Sequence, residues 1–562
     1  MKVSTKWNHV ILLYVAGVIF YGLVATRITI PVHYGADEEL YVALAKNFFY
    51  EGVFMKGYEA LDYSCVLYSI LLSGVYFFYD ADSIVFLMRL LGVLLQVSSV
   101  FPVYYLGSRI LGNHKKALGI CALSLIIPEM MNSMYLMQEV LCYPLLLWGL
   151  VLLYLDQMEE RYHRVTRYTI LTILFMVLTY YTKTYAIVCV VSYCFYWFVA
   201  AIHHRTKAIW VKCITVVLVS AAFLMAGRIL VAMPNVGLET ANHYSTQIQN
   251  LFPITLETLW QIVYGLCFYG AFLLLCTGFF PVVMPLLHME QFSLHHRRFL
   301  KQLLLVTAFL LVEVVVCILC TETQPFEYPN KFIYRYLYVV AVPYWILFAH
   351  LPSGQGKEKP IELDWRSNVL AIGMVGTMLI YYVGLPEEYP IGIMDGFLFL
   401  LIENMDRYIW HGFPIFLTLG IAVVLGATYL YGRKHAISYK KSFFRGVTLY
   451  CIVFLVINCI QLPYYHNVVA EGEVLEPQFV VIAEVVNEYD TIYYVSDSLD
   501  YKAAFYAYIQ KDYQWISSAQ LEVRLASSEV EEVIYIVNKE AWIAGDITGN
   551  LIKELPDYYV IR

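Results

Sequence analysis

Three consecutive acidic residues follow the first apolar segment of the chain, in the sequence Gly35-Ala36-Asp37-Glu38-Glu39-Leu40-Tyr41. Carboxylates at the edge of an apolar segment are costly, and they are commonly retained for a function. Asp37 can act as a general base towards a hydroxyl, because an adjacent carboxylate raises its pKa. The alternative is that Asp37 and Glu38 cap an amphipathic helix that starts at Glu38. These residues alone leave both interpretations open.

A further acidic residue, Glu139, stands at the start of the fourth predicted apolar span. It can hold a substrate or join a metal site, or it can simply interact with the positive end of the helix. His33 is close to Asp37 in sequence, although a lone loop histidine is commonly plain polar surface. Whether a divalent cation is needed stays open, and its candidate ligands are Glu38, Glu139 and His33.

Two basic residues lie at apolar boundaries where positive charge is unusual. Lys183 interrupts two abutting apolar runs within Tyr180-Tyr181-Thr182-Lys183-Thr184-Tyr185, and Arg335 lies one turn into a later span. An ammonium group and a forked guanidinium both suit a phosphate ligand. The alternative for Lys183 is an interfacial lysine that extends towards the headgroups among tyrosines.

The composition predicts a polytopic membrane protein. Of the 562 residues, 60% are hydrophobic and 14% are charged, whereas a soluble domain has about 25% charged residues. The net charge of −7 does not suggest nucleic acid as a partner. No P-loop, Rossmann fingerprint, nucleophile elbow or His-Glu-x-x-His motif appears.

Apolar runs of about 20 residues predict about thirteen spans. They begin near Val10, Ser83, Ala117, Val140, Tyr168, Tyr185, Cys213, Leu259, Leu303, Ile333, Val369, Ile409 and Val447. Basic residues gather in alternate loops, which places the N-terminus in the cytoplasm and the acidic first loop outside the cytoplasmic membrane.

The predicted fold is an α-helical membrane domain, 1–463, followed by a small extracytoplasmic α/β domain, 464–562. The outer loop 31–82 is long and holds two amphipathic stretches, Glu38–Tyr50 and Tyr63–Tyr79, which we expect to lie in the headgroup plane. The C-terminal part alternates short strands and helices, which predicts a partly parallel sheet. Its strands are expected at Thr491–Ser496, Glu532–Val537 and Tyr558–Ile561, and its helices at Pro477–Glu488, Lys502–Ile509 and near Ala519.

In order and sidedness, these residues resemble the GT-C class of membrane glycosyltransferases, and among them the protein O-mannosyltransferases and the lipid A aminoarabinose transferases. The matching elements are Asp37-Glu38 in the first outer loop, Glu139 before the fourth span, Thr182-Lys183 after the fifth, and Arg335-Tyr336-Leu337 with Pro343. The resemblance covers roughly residues 8 to 350 and does not extend to the C-terminal domain.

The resemblance implies transfer of a sugar from a polyprenyl-phosphate donor to a protein, lipid or glycan acceptor outside the cytoplasmic membrane, by direct inverting displacement. It implies that Asp37 is the base, that Glu38 and Glu139 support the acceptor or a metal, and that Lys183 and Arg335 bind the donor phosphate.

Three alternatives stay open on the sequence. A transporter or flippase of lipid-linked saccharides would have charges near the bilayer midplane and a repeated core of broken helices. A polymerase or ligase of such saccharides would have its long loop later in the chain. In a non-catalytic scaffold the acidic residues would only cap helices.

Overall fold

A computed structural model describes most of the first 351 residues and parts of the rest. The described residues are 4–27, 35–56, 59–61, 63–78, 81–236, 240–241, 254–321, 337–351, 372–373, 375–377, 440, 443–449, 451–453, 455–456, 459, 476–486, 488–489, 491–495, 514–516, 521, 533–539, 551–556 and 558–562.

Helices make up almost all of the described N-terminal part. The α-helices are α1 (Ser4–Ala25), α2 (Gly35–Glu51), α3 (Leu67–Ser73), α4 (Ala81–Val97), α5 (Val100–Leu111), α6 (His114–Ser124), α7 (Glu139–Met158), α8 (Arg167–Tyr180), α9 (Ile187–His204), α10 (Lys207–Ala232), α11 (Leu256–Cys276), α12 (Phe280–Leu287), α13 (Leu294–Thr321), α14 (Ala341–His350) and α15 (Glu476–Val486). Short 3-10 helices lie at Gly74–Phe77, Pro128–Met134, Thr184–Ala186, Met233–Asn235, Met289–Gln291 and Tyr338–Val340.

Seven of the described helical stretches are long and apolar enough to cross a membrane. They are Trp7–Ala25, Ile84–Leu111, Glu139–Met158, Thr184–His204, Lys207–Asn235, Leu256–Leu274 and Leu294–Cys317. This is the pattern of a multi-pass membrane protein.

The count of about thirteen spans stays a prediction. The helices at the spans predicted near Ala117 and Tyr168 have 11 and 14 residues, fewer than the roughly 20 that cross the hydrocarbon alone. The span predicted from Ile333 begins outside the described residues, as do those from Val369 and Ile409.

Helix α7 is the central element of the described bundle. It packs against α4, α5, α8 and α13, and most of its residues are buried. Its first residue is Glu139, so this carboxylate belongs to a helix that four neighbours hold in place.

A buried ion pair lies near the C-terminal end of α7. Asp156 Oδ2 lies 2.8 Å from Lys212 Nζ, and both side chains are fully buried. Asp156 also accepts hydrogen bonds from Thr166, Thr169 and Tyr193. Lys212 lies inside α10, where this network compensates its burial.

The first outer loop is folded into the protein. Helix α2 has eight consecutive buried residues, from Leu40 to Asn47. Eight residues exceed two helical turns, so this part of α2 is covered on all sides rather than along one amphipathic face. The helices predicted in this loop are present as α2 and α3, and their relation to the headgroup plane stays a prediction.

A small sheet joins this loop to the segment that follows α10. Its strands are β1 (Met55–Lys56), β2 (Glu59–Leu61) and β3 (Thr240–Ala241), in the order β1-β2-β3. Asn235, at the end of α10, adds two hydrogen bonds to the backbone of Phe54. Residues far apart in sequence therefore hold the loop over the end of the bundle.

The C-terminal part contains a five-stranded sheet with the order β5-β4-β6-β8-β7. The strands are β4 (Thr491–Val495), β5 (Gln514–Ile516), β6 (Val533–Asn538), β7 (Leu551–Glu554) and β8 (Tyr558–Ile561). Strands β4, β5 and β6 run parallel, whereas β7 and β8 pair antiparallel. Helix α15 packs against α4.

Strands β4, β6 and β8 coincide with the three predicted strands to within one residue. Helix α15 matches the predicted helix Pro477–Glu488, while those at Lys502–Ile509 and near Ala519 lie outside the described residues. The boundary at residue 463 and the extracytoplasmic side stay predictions.

Candidate functional site

The first outer loop meets the start of α7 through Glu38. Its side chain is 2% exposed, and Oε1 accepts a hydrogen bond of 2.7 Å from the backbone N–H of Leu136. Leu136 lies in the turn before α7, so this bond ties α2 to the helix that carries Glu139. A carboxylate bonded to a backbone N–H is a charge-assisted contact, which compensates part of its burial.

Lys183 and Glu139 form a buried ion pair beside this contact. Lys183 Nζ lies 3.3 Å from Glu139 Oε1 and donates a hydrogen bond of 3.1 Å to the hydroxyl of Tyr41. Lys183 is 6% exposed and Glu139 is 2% exposed. A buried pair of this kind stabilises a fold only modestly, so stability alone does not explain it.

Tyr68 lies next to these groups. Burial, and after it the charges of Glu38 and Glu139, raise the pKa of the Tyr68 hydroxyl above its ordinary value. Both carboxylates thus act electrostatically on the same phenol. The tyrosine ring packs edge-to-face against Tyr41, with 6.2 Å between ring centroids.

Hydrogen bonds fix the segment before Tyr68 against the turn that carries Lys183. The Leu67 N–H donates to the carbonyl of Tyr181 at 3.0 Å, and the Cys65 thiol donates to the carbonyl of Tyr180 at 3.0 Å. Burial raises the pKa of the Cys65 thiol, so it stays protonated and can donate.

Gln138 links the same segment to α7. Its Nε2 donates to the carbonyl of Cys65 at 2.6 Å, and its Oε1 accepts from the hydroxyl of Tyr63 at 3.1 Å. Because Gln138 directly precedes Glu139, these bonds position the carboxylate relative to the loop. The arrangement gives a buried cluster with one ammonium group, two carboxylates and two phenols.

The close approach of α10 completes the support of the Lys183 turn. The hydroxyl of Tyr181 donates to the carbonyl of Leu224, and its ring lies over Gly227. A Cβ atom at Gly227 would be 2.3 Å from that ring, so a larger residue does not fit without movement.

The structure therefore brings together Glu38, Glu139 and Lys183, which the sequence predicted as site residues. Asp37 lies in the first turn of α2, but its side chain is outside the described part, as are His33 and Arg335. Their roles, like those of the three described residues, stay predictions.

The chain that follows the predicted Arg335 segment packs on the start of α7. Tyr338 lies 4.8 Å from Tyr143 between ring centroids, and its hydroxyl accepts a hydrogen bond of 3.3 Å from Gln96. Tyr143 is one turn after Glu139, so this later segment reaches the same end of the bundle.

A metal site is not formed by the described side chains alone. Among the described residues, no group of three or more His, Cys, Asp and Glu side chains could hold a metal ion. Glu139 is paired with Lys183, and Glu38 accepts the Leu136 N–H. The three metal candidates named from the sequence thus stay untested as a set, because His33 is outside the described residues.

Sequence reasoning did not select Tyr41, Tyr68 or Gln138. Tyr41 carried a usable signal, because it follows Asp37 by one helical turn and such residues share a face. Tyr68 lies in a nearly continuous apolar and aromatic run, and Gln138 is a neutral residue beside a charged one. Neither position has a sequence pattern that distinguishes it from a residue of the hydrophobic core.

Two solved structures of ArnT from Cupriavidus metallidurans are similar to this chain. The structure bound to undecaprenyl phosphate has a TM-score of 0.53 at 14% identity, covering 98% of this chain and 97% of that one. The apo structure has a TM-score of 0.52 at 12% identity, covering 100% and 98%. No family model and no curated protein sequence matches the chain. ArnT is a lipid A aminoarabinose transferase of the GT-C class, so the predicted fold resemblance is confirmed.

Proposed function

We propose that this chain is a GT-C glycosyltransferase that moves a sugar from a polyprenyl-phosphate donor to an acceptor on the outer face of the cytoplasmic membrane. The acceptor is a protein, a lipid or a glycan. The observation that carries the proposal is the buried cluster of Lys183, Glu139 and Tyr41, at the end of α7 where α2 brings in the acidic segment. The ligand of the similar ArnT structure, undecaprenyl phosphate, supports the donor class.

The proposed reaction is a direct displacement at the anomeric carbon. The acceptor oxygen forms a bond to this carbon while the bond from the carbon to the phosphate oxygen breaks, and its electron pair leaves with the phosphate. Asp37 takes the proton of the acceptor hydroxyl. Lys183 and Arg335 neutralise the charge that develops on the leaving phosphate. A single displacement inverts the configuration of that carbon.

Glu38 and Glu139 have supporting roles in this proposal. Glu38 holds α2 against the turn before α7, which keeps the neighbouring Asp37 in register with the Lys183 cluster. Glu139 keeps Lys183 in place and can face the acceptor. A divalent cation bound by Glu38, Glu139 and His33 remains a separate proposal, and no step above depends on it.

The direct test is transfer by the purified full-length protein from polyprenyl phosphate carrying a labelled sugar. We expect release of free carrier lipid by the wild-type protein. The Asp37→Asn variant should lose about 10²–10⁴-fold in rate, which is the usual contribution of a general base. The Lys183→Met variant should lose both transfer and binding of the carrier.

Lys207→Met is the matched control, because Lys207 is exposed at the start of α10 and far from the cluster. It should transfer at the wild-type rate. Near-native turnover by a folded Asp37→Asn protein would contradict the assignment of the base. Sugar movement across the membrane without release of free carrier would favour a transporter instead.

A further inference from the structure

Tyr68 has a fully buried hydroxyl with no hydrogen-bond partner in the described part of the chain. Leaving such a group unpaired costs about 1–3 kcal/mol. Native proteins rarely keep one without a reason such as a catalytic role or a ligand that binds there. The Tyr68 hydroxyl can therefore take a partner from outside the described part of the chain.

Tyr68 is available as a hydrogen-bond donor at this position. Burial, and after it the charges of Glu38 and Glu139, raise the pKa of the Tyr68 hydroxyl, so the phenol stays protonated. It can therefore donate this proton to an atom that accepts a hydrogen bond.

The charges around Tyr68 distinguish between two kinds of partner. A phosphate oxygen would accept from Tyr68, but its negative charge would lie close to two carboxylates. A sugar hydroxyl accepts from Tyr68 with its oxygen and donates its own proton to a carboxylate. A neutral hydroxyl therefore fits this position better than a phosphate.

The contacts that connect Lys183 to Tyr68 indicate which molecule carries the hydroxyl that Tyr68 binds. Tyr41 contacts both residues, since its hydroxyl accepts from Lys183 and its ring packs on Tyr68. The sugar of the donor is joined directly to the phosphate that Lys183 is proposed to bind. Its ring therefore enters the region next to that phosphate.

We propose that Tyr68 donates a hydrogen bond to a hydroxyl of the donor sugar, and so is a specificity-determining residue of the site. This inference rests on the proposed function. It concerns recognition of the sugar, whereas the carrier phosphate is held by Lys183. Tyr68 thus separates donor lipids that carry a hydroxylated sugar from the bare carrier.

The test compares binding of the bare carrier and of glycosylated carriers to the full-length protein in lipid nanodiscs. The probes are undecaprenyl phosphate and its glucose, mannose, N-acetylglucosamine and 4-amino-4-deoxyarabinose forms. We expect at least one glycosylated lipid to bind the wild-type protein more tightly than the bare carrier. In Tyr68→Phe, the increase in affinity that the sugar adds should fall by about three- to tenfold, as expected for the loss of one neutral hydrogen bond. Binding of the bare carrier should not change.

Tyr76→Phe is the matched control, because Tyr76 is an equally buried tyrosine of the same outer loop. It should keep the full gain from the sugar. Tyr68→Phe should melt at or above the wild-type temperature without ligand, since it removes an unpaired buried oxygen.

The outcomes separate the inference from the function on which it rests. If Lys183→Met weakens carrier binding but Tyr68→Phe keeps the whole sugar gain, only the inference is overturned. It is also overturned if no sugar in the set adds affinity to the wild-type protein. If carrier binding does not depend on Lys183, the proposed function fails, and the inference fails with it.

Discussion

At the scale of single residues, Lys183 has two competing partners in the proposed reaction. It is paired with Glu139 in the present structure, whereas the donor phosphate requires the same ammonium group. We expect binding of the donor to weaken the contact with Glu139, because the phosphate and the carboxylate are two anions at one ammonium group. This exchange would also free the Glu139 carboxylate to accept a hydrogen bond from the acceptor, which favours binding of the donor first.

If the donor phosphate takes the place of Glu139 beside Lys183, removing the Glu139 carboxylate should have an unusual effect. Glu139→Gln should lower the melting temperature of the ligand-free protein, because Lys183 then keeps its buried charge without the Glu139 carboxylate. Undecaprenyl phosphate should then raise the melting temperature more in this variant than in the wild type, since it restores the missing charge.

Thermal unfolding with and without the carrier lipid measures this difference. Glu160→Gln is the control, because Glu160 is exposed and lies just after the C-terminal end of α7. Weaker stabilisation by the carrier in Glu139→Gln than in the wild type would contradict the exchange.

At the scale of elements, the turn 180–183 depends on how closely α10 approaches it. Gly227 provides the space for the Tyr181 ring, and Tyr181 bonds to the α10 backbone at Leu224. The same turn accepts the hydrogen bonds from Cys65 and Leu67 that hold the outer loop. A change on α10 should therefore reach the site without touching any charged residue.

Gly227→Ala tests this dependence. The added methyl group would overlap the Tyr181 ring, so the ring and the Lys183 turn must move. We expect transfer to fall by roughly tenfold or more, since about 1 Å of misplacement in a site can cost 10²-fold. Rates with the labelled donor, together with the melting temperature, give the result.

Gly119→Ala is the matched control, because a Cβ atom there meets no neighbour within 4 Å. Both substitutions gain similar helix propensity, about 1 kcal/mol, so the difference between them reports the overlap. Equal activity of the two variants would show that Gly227 does not position the turn.

The elements also show what the sequence could predict. Long apolar runs and basic residues in alternate loops predicted the membrane-spanning helices. Glu38, Glu139 and Lys183 were selected because they are charged residues at the ends of such apolar runs. Such features are local, because one segment carries the whole signal. The burial of α2 on all sides was not predictable in this way, since it depends on contacts with distant segments such as the turn before α7.

The same limit applies to the residues that the sequence did not select. Tyr68 has an apolar neighbourhood in sequence, and only folding brings it within the influence of the Glu38 and Glu139 charges. Strands β5 and β7 were also missed, because β5 has only three residues and all four residues of β7 are exposed. Short or exposed strands carry little alternation of apolar and polar residues.

At the scale of the whole molecule, α7 has a buried ion pair at each end. Glu139 and Asp156 are 17 positions apart, which corresponds to about 26 Å along a helix, close to the thickness of the hydrocarbon. The two pairs differ in their remaining contacts. The pair of Asp156 and Lys212 is enclosed by hydrogen bonds from Thr166, Thr169 and Tyr193, as is typical of a structural network.

This difference predicts that the two ends respond separately to substitution. Asp156→Asn should destabilise the protein by about 3–5 kcal/mol, because it leaves Lys212 charged and buried. Asp156→Asn with Lys212→Met should recover part of that loss. Neither variant should change the affinity for undecaprenyl phosphate in the folded protein, since sites so far apart share no contacts and behave additively. Denaturant unfolding and carrier binding in nanodiscs measure the two quantities. Weaker carrier binding by the double variant would mean that the ends of α7 are coupled, and the enclosed pair would then be part of the substrate-binding machinery.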